Sequence, residues 1–191
     1  MAEPKPDKLH RGIRVNKTAA AEAQLSTAIW LWFHHSDPIA IHMLAVGAQD
    51  CFRAMGKIAG VPSIYGEWRK RQPTSIQKRA TEAQNFFKHG FKNLKGFTSL
   101  RPIESEFMMF DSVICYWRLS DGLTPLLRVY GARFAIENHD ILERDLCSYF
   151  LEGLENLPEL LRLERTEFFN FLFPYFEAER AKARSIHLES P

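Results

Sequence analysis

The stretch SDPIAIHMLAVGAQDCFRAMGKIAG, residues 36 to 60, carries the signals for both ends of a helix. Ser36 or Asp37 can cap its N-terminus, and Pro38 occupies the first helical position. Gly60 then ends the pattern. The same helical periodicity continues along almost the whole chain, and no window shows the sustained alternation of a β-strand. The sequence therefore predicts an all-α fold, a single-domain bundle of about six to seven antiparallel helices joined by short connections.

The remaining helices follow from caps, prolines and apolar spacing. We expect them at residues 18 to 34, 73 to 91, 102 to 120, from 124 onward, 140 to 156 and 158 to 185, with 61 to 72 as a connection. Residues 17 to 186 should form the helical domain. We expect a flexible N-terminal tail at 1 to 16 and a short C-terminal tail at 187 to 191.

Composition favours a packed globular domain. Of the 191 residues, 46% are apolar and 13% aromatic, which is enough for a core, and the net charge is only +2. Cys51, Cys115 and Cys147 are far apart and unpaired, as expected of buried thiols in a reducing cytosol. The N-terminus has no signal-peptide pattern, and the longest apolar window, residues 39 to 48, is too short for a bilayer. We expect a soluble, cytoplasmic protein.

The common catalytic fingerprints do not occur in this sequence. It has no Gly-rich phosphate loop, paired Cys motif, nucleophile elbow or His-Glu-x-x-His motif. A di-iron bundle requires Glu followed three residues later by His, and no Glu here has that neighbour. We therefore expect neither a metal nor a cofactor.

Polar residues inside apolar helical patterns are the first candidates for a site. His42 is the only polar side chain between Ile39 and Ala48, so it is either a hydrogen-bonded core residue or a ligand or catalytic group. In AQNFFKHGFKNLKGF, residues 83 to 97, Asn85 and His89 lie four apart with Lys88 beside them. Such a face can hold a carboxylate or phosphate or orient a water, or it can simply be solvated.

The helix after this stretch supplies two carboxylates, Glu106 and Asp111. Helices joined by a short loop usually pack side by side, so these carboxylates are predicted to lie opposite the polar face. If the protein is an enzyme with acid–base chemistry, we expect His89 within hydrogen-bonding distance of Glu106. The candidate polar cluster is His42, Asn85, Lys88, His89, Glu106 and Asp111, and the predicted buried stripe behind it is Ile76, Ala80, Ala83, Phe87 and Phe91.

Charge is distributed unevenly along the chain. Residues 69 to 95 hold eight cations and a single acid, Glu82, a net of +7, whereas residues 137 to 167 hold nine acids and three arginines, a net of −6. The basic segment predicts either a surface for a polyanion or an electrostatic match to the acidic segment, within the fold or across a dimer. The candidate anion-binding residues are Arg69, Lys70, Arg71, Lys78, Arg79 and Lys92, with Tyr65, Trp68 and Phe97 available to stack on bases.

The C-terminal helix has more aromatic residues than one buried stripe requires. EFFNFLFPYFEAE contains six aromatic residues between Phe168 and Phe176, on every side of the helix, and Pro174 should kink or end it. We predict that this helix forms a homodimer interface. The alternatives are that the helix is central to the core, or that these rings line an apolar ligand cleft.

Two resemblances add to these expectations. The patterns AIWLWF, DPIAIH, NFFKH and SEF, followed by Asp111, resemble a family of uncharacterised bacterial proteins over about residues 25 to 118. That resemblance implies no activity, but it draws attention to the six residues of the candidate polar cluster.

The stretch RFAIENH is similar to the Arg-His motif of the HEPN superfamily, whose members are small all-α proteins, often dimeric, and in many cases metal-independent ribonucleases. The resemblance implies that Arg133 would hold phosphate and His139 would act at the RNA 2′-hydroxyl. Phe134 departs from the polar residue that often follows the arginine in that family.

Three function classes follow from these patterns: a noncatalytic binding or interaction protein, a HEPN-like ribonuclease or toxin, and a small-molecule enzyme that uses His with Glu or Asp.

Overall fold

The computed structural model describes residues 14 to 89, 95 to 120, 122 to 154 and 157 to 189. These residues form helices and connections without any strand, which confirms the all-α prediction. The predicted N-terminal tail lies largely outside the described residues, as do Phe91 and Lys92. The helices are α1 Lys17–Phe33, α2 Pro38–Ala59, α3 Ile64–Lys70, α4 Thr74–Lys88, α5 Pro102–Leu119, α6 Pro125–Glu137, α7 Arg144–Leu151, α8 Leu157–Leu160 and α9 Arg165–Glu189.

The ends of the long helices lie where local capping chemistry places them. Asp37, rather than Ser36, caps α2, because its carboxylate accepts a hydrogen bond from the Ile39 N–H at 2.8 Å. Gly60 ends this helix with a left-handed φ of 74°, a conformation that costs glycine nothing. Asn16 caps α1 in the same manner through the Ala19 N–H at 2.7 Å.

The short helices differ from the prediction. α3 lies within the segment predicted as a connection, and α8 is a single turn before α9. In the segment predicted at 140 to 156, the structure describes residues 140 to 154, and of these only 144 to 151 are helical. Helices of one or two turns present too few residues for apolar periodicity to be visible, so their existence depends on tertiary contacts.

The bundle is organised around α1, α2, α5 and α6. α1 runs antiparallel to α2, since Thr18 lies 3.4 Å from the Met55 sulfur while the middle of α1, at Gln24, faces Gly47. α2 and α5, in contrast, run parallel, since His42 of α2 meets Ser105 of α5 and Gln49 meets Asp111 further along both helices. α3 and α4, which follow α2 in the chain, return it to the end of the bundle where α2 begins. α9 packs antiparallel on α6, with Arg128 over the Phe176 ring.

α4 lies on the side of this bundle, where it packs against α2 and α3 rather than along α5. Of its predicted buried stripe, Ala83 is buried, Phe87 is half-buried and Ile76 is exposed. The predicted stripe was therefore only partly correct. α4 contacts the bundle through a narrow face, because its sequence places few large apolar side chains on one side of the helix.

α9 distributes its aromatic residues between core and surface. Phe168, Phe169 and Phe176 are buried, whereas Phe171 is 65% exposed and Tyr175 is 47% exposed. The helix does not end at Pro174 but continues through it.

The cysteines are free thiols: Cys115 is buried, and Cys51 and Cys147 are half-buried. Burial raises the pKa of the Cys115 thiol to about 12. None of the helices in the described part of the chain has the length and apolarity to cross a membrane.

Candidate functional site: three buried polar clusters

The first buried polar cluster surrounds Glu106, in the second turn of α5. Its Oε1 accepts hydrogen bonds from Trp32 Nε1 at 2.9 Å and from Arg165 Nη2 at 3.0 Å. The Arg165 guanidinium also lies 3.9 Å from the Trp32 ring centroid, a cation–π distance. One carboxylate thus joins α1, α5 and the start of α9.

A second ion pair extends this cluster and balances its charge. Arg133 Nε donates to Glu137 Oε1 at 2.6 Å, and Arg165 lies 3.8 Å from the other oxygen of Glu137. The Tyr130 hydroxyl donates to the Glu106 carbonyl at 2.7 Å, and its pKa is raised well above 10.0 by burial and then by the charge of Glu106. Two acids and two arginines make the group neutral overall, as a structural ion-pair network requires.

The second cluster is built on Asp111, five residues further along α5. Its Oδ2 accepts from Ser63 Oγ at 2.6 Å and from Gln49 Nε2 at 3.1 Å, and its Oδ1 accepts from the Tyr65 N–H at 3.1 Å. Asp111 is 2% exposed, and these three donors are all neutral. The carboxylate therefore attaches the start of α3 to α2 and α5 without an ion pair to any described cation.

The third cluster is the contact between His42 of α2 and Ser105 of α5. His42 Nδ1 lies 2.9 Å from Ser105 Oγ, and the Phe87 ring lies edge-on with its centroid 6.3 Å away. Nε2 is buried and has no hydrogen-bond partner among the residues that the structure describes. Burial lowers the pKa of His42 below 6.5, so the imidazole is neutral at physiological pH. The expected polar partner of this core histidine is thus the serine, bonded through only one ring nitrogen.

The structure does not gather the six predicted residues into one site. His42, Glu106 and Asp111 belong to three separate clusters. Lys88 is at the surface of α4, where it pairs with Asp50 at 2.8 Å. Asn85 and His89 are exposed, and the His89 N–H is bonded to the Asn85 carbonyl at 3.0 Å where α4 ends. Since α4 does not pack along α5, His89 is not brought to Glu106.

Arg133 and His139, the alternative ribonuclease pair, contact different groups. Besides Glu137, Arg133 donates from Nη1 to the Leu163 carbonyl at 2.6 Å and lies over the Phe168 ring at 5.2 Å. His139 is in the turn after α6, with Nδ1 3.1 Å from the Ile136 carbonyl. The arginine thus directs two of its nitrogens into the protein.

The described candidate anion-binding residues lie on α3, directly after it, and in the first half of α4. Arg71 and Lys78 are exposed, Arg69 is half-buried, and Lys70 pairs with Glu67 at 2.6 Å. The side chain of Arg79, like Lys92, lies outside the described residues. Among the aromatic residues predicted to stack on bases, Tyr65 is buried, whereas Trp68 is 49% exposed and Phe97 is 98% exposed.

One of the six aromatic residues of α9 lines a surface cleft. Phe173 forms an open cleft of about 390 Å³ with Ser26, Pro125, Leu126 and Arg180, among others. The cleft has mixed polar and apolar walls, so it only partly matches the predicted apolar site.

Several residues that complete the clusters are not evident from sequence. Gln49 has a detectable signal, because it lies seven residues after His42 on the same face of an apolar helix. Trp32, Ser63 and Arg165 have none, since each meets its carboxylate across 48 to 74 positions of chain.

Among the described residues, no group of three His, Cys, Asp or Glu side chains is placed to hold a metal ion. No protein-family model, curated protein or solved structure matches this chain.

Proposed function

We propose that this chain is a noncatalytic interaction protein that associates with a second copy through the aromatic surface of α9. The observation that carries the proposal is the exposure of Phe171 and Tyr175, one turn apart on that helix. Large aromatic side chains bury about 150 to 250 Å² each and dominate the energetics of interfaces. Two adjacent rings exposed to water therefore favour a partner that covers this face of α9.

The buried clusters support the noncatalytic part of the proposal. A general acid or base must reach a substrate, yet Glu106, Asp111 and His42 are all enclosed by the bundle. Both carboxylates already accept two or more hydrogen bonds from the protein, so their burial is compensated. Their contacts are those expected of groups that hold helices in position.

The contacts of Tyr175 also suit an interface. Its hydroxyl donates to Glu179 Oε1 at 3.0 Å, which raises the pKa of Tyr175 and satisfies the hydroxyl within the helix. The ring is then available for apolar contact without an unsatisfied polar group.

The test is the molar mass in solution, measured by light scattering after size-exclusion chromatography at several protein concentrations. We expect twice the chain mass of 22.1 kDa for the wild-type protein. Phe171→Ser and Tyr175→Ser should each weaken the dimer about tenfold or more, because central aromatic residues supply most of the binding free energy.

Ile58→Ser is the matched control, since Ile58 is 89% exposed near the end of α2 and lies outside the proposed interface. It should leave the mass unchanged. A wild-type protein that is monomeric at every concentration, or a dimer that both α9 variants leave intact, would contradict the proposal.

A further inference from the structure

α3 presents a half-exposed aromatic ring that a run of three cations follows in the chain. Trp68 is 49% exposed, and the three residues that follow it are Arg69, Lys70 and Arg71. The start of α4 is attached to this helix, because Gln77 Nε2 donates to the Gln72 carbonyl at 2.8 Å. We call Trp68, Arg69, Lys70, Arg71 and Lys78 the α3 surface.

The indole of Trp68 packs on a buried aromatic ring. Its ring stacks on Tyr65, with centroids 5.6 Å apart and an interplanar angle of 27°. Tyr65 is buried, and its N–H is bonded to Asp111. Ser63, which caps α3 through the Gly66 N–H at 2.9 Å, donates to the same carboxylate. The Asp111 cluster thus fixes a seven-residue helix that has little apolar contact of its own.

The charge of the α3 surface is not balanced by the acidic segment of the chain. Among the ion pairs between described residues, none joins residues 69 to 95 to residues 137 to 167. α3 packs on α5 and α4 packs on α2, whereas α7, which lies within the acidic segment, packs on α6. Within one chain, the described residues of the basic and acidic segments therefore do not form ion pairs with each other. The α3 surface remains available for an anionic partner.

We propose that the α3 surface binds single-stranded nucleic acid, with an unpaired base stacked on Trp68 and the flanking phosphates held by Arg69, Arg71 and Lys78. A base has the planar face that a half-exposed indole can cover, and single-strand sites combine such a ring with cations that follow the backbone. A duplex keeps its bases stacked on one another, and an acidic protein surface would leave the indole without a planar partner.

The test is fluorescence anisotropy of labelled oligo(U) and oligo(dT) of about 15 nucleotides, titrated with the full-length protein. Two to three phosphate contacts predict that log K falls with log salt with a slope of about −1.4 to −2.1, since each contact contributes about −0.7 for single strands. A labelled duplex of the same length should bind more weakly.

Two variants and two matched controls separate stacking from charge. Trp68→Ala should weaken oligo(U) binding about tenfold, while Trp68→Phe retains part of the affinity. Trp30→Ala is the control, because Trp30 is 47% exposed but lies on α1. Arg71→Glu should weaken binding and make the salt slope shallower by about 0.7. Arg144→Glu changes net charge equally at the exposed start of α7 and should leave the slope unchanged.

The inference is overturned if oligo(U) does not bind at low salt, or if Trp68→Ala binds as tightly as the wild-type protein. It is also overturned if Arg144→Glu and Arg71→Glu weaken binding equally, since net charge alone would then explain the affinity. If Arg71→Glu and salt instead lower the molar mass of the free protein, the partner of the α3 surface is the acidic segment of a second copy. Circular dichroism of each variant establishes that the fold is retained. The proposed α9 dimer is measured without nucleic acid, so the two proposals fail independently.

Discussion

Arg165→Leu tests whether the Glu106 cluster holds the fold together. The substitution keeps an apolar side chain over Trp32 but removes the cation from Glu106. Among the described residues, the Trp32 N–H is then the one side-chain donor left to the buried carboxylate. If Glu106 were a catalytic carboxylate held under strain, this change would relieve the strain and would not lower the stability of the fold. A structural carboxylate would be left without its countercharge.

The expected loss can be estimated from the contacts. Removing one partner of a buried ion pair costs about 3 to 5 kcal/mol. The Arg165 side chain is 27% exposed, so solvent screening brings the estimate to the low end of that range. We expect a loss of about 3 kcal/mol in the free energy of unfolding. For a chain of this size, this corresponds to a fall in Tm of roughly 6 to 12 °C.

The assay is urea denaturation followed by circular dichroism, with the slope of the transition compared between variants. Glu106→Leu and the Arg165→Leu/Glu106→Leu double variant complete a double-mutant cycle. The double variant should be more stable than the sum of the two single losses predicts, because it leaves no unpaired charge in this pair. A loss below about 1 kcal/mol for Arg165→Leu, or additive losses in the cycle, would refute the structural assignment of Glu106.

Three further predictions concern other parts of the bundle. Gly131→Ala should lower the free energy of unfolding by about 1 to 2 kcal/mol in urea denaturation, since the added Cβ would lie 2.1 Å from the buried Phe150 ring and this clash outweighs the helix propensity of alanine. A second change, Phe150→Leu, should reduce the loss caused by the clash. A G131A variant as stable as the wild-type protein would contradict the close packing of Gly131 on Phe150. Asp111→Asn should destabilise the protein by about 2 kcal/mol, because the amide cannot accept from all three donors, and faster hydrogen exchange at the Tyr65 amide would locate the effect on α3. As pH falls below 6.5, the unfolded chain protonates His42 while the folded chain does not. The wild-type protein should therefore lose stability by up to about 1.4 kcal/mol per pH unit until the lowered folded-state pKa is reached. H42Q should show a shallower dependence in denaturation midpoints between pH 7 and 5, and identical pH profiles would contradict a buried neutral imidazole.

Sequence was sufficient for the features that depend on neighbours in the chain. Pro38 and Gly60 define α2, with Ser36 or Asp37 as its cap, because capping and chain reversal involve groups within four residues of one another. His42 could be recognised as a residue in need of a polar partner for the same reason, since its apolar surroundings are its own helical neighbours.

Only the tertiary structure decided which polar groups meet. α3 is too short to be visible as a periodic pattern, yet it and α4 turn the chain so that α2 and α5 run parallel. That arrangement pairs His42 with Ser105 and Gln49 with Asp111, and it directs Glu106 towards α1 and α9 instead of α4.

The division between what each level decided has a physical cause. A helix forms and ends through hydrogen bonds between residues a few positions apart, and the sequence displays those residues together. A buried carboxylate is satisfied by whichever donors the packing of several helices brings to it, and here those donors lie 46 to 74 positions away. The amino-acid sequence by itself therefore determined an all-α chain with polar residues in its apolar faces, and only tertiary packing divided those residues into three clusters.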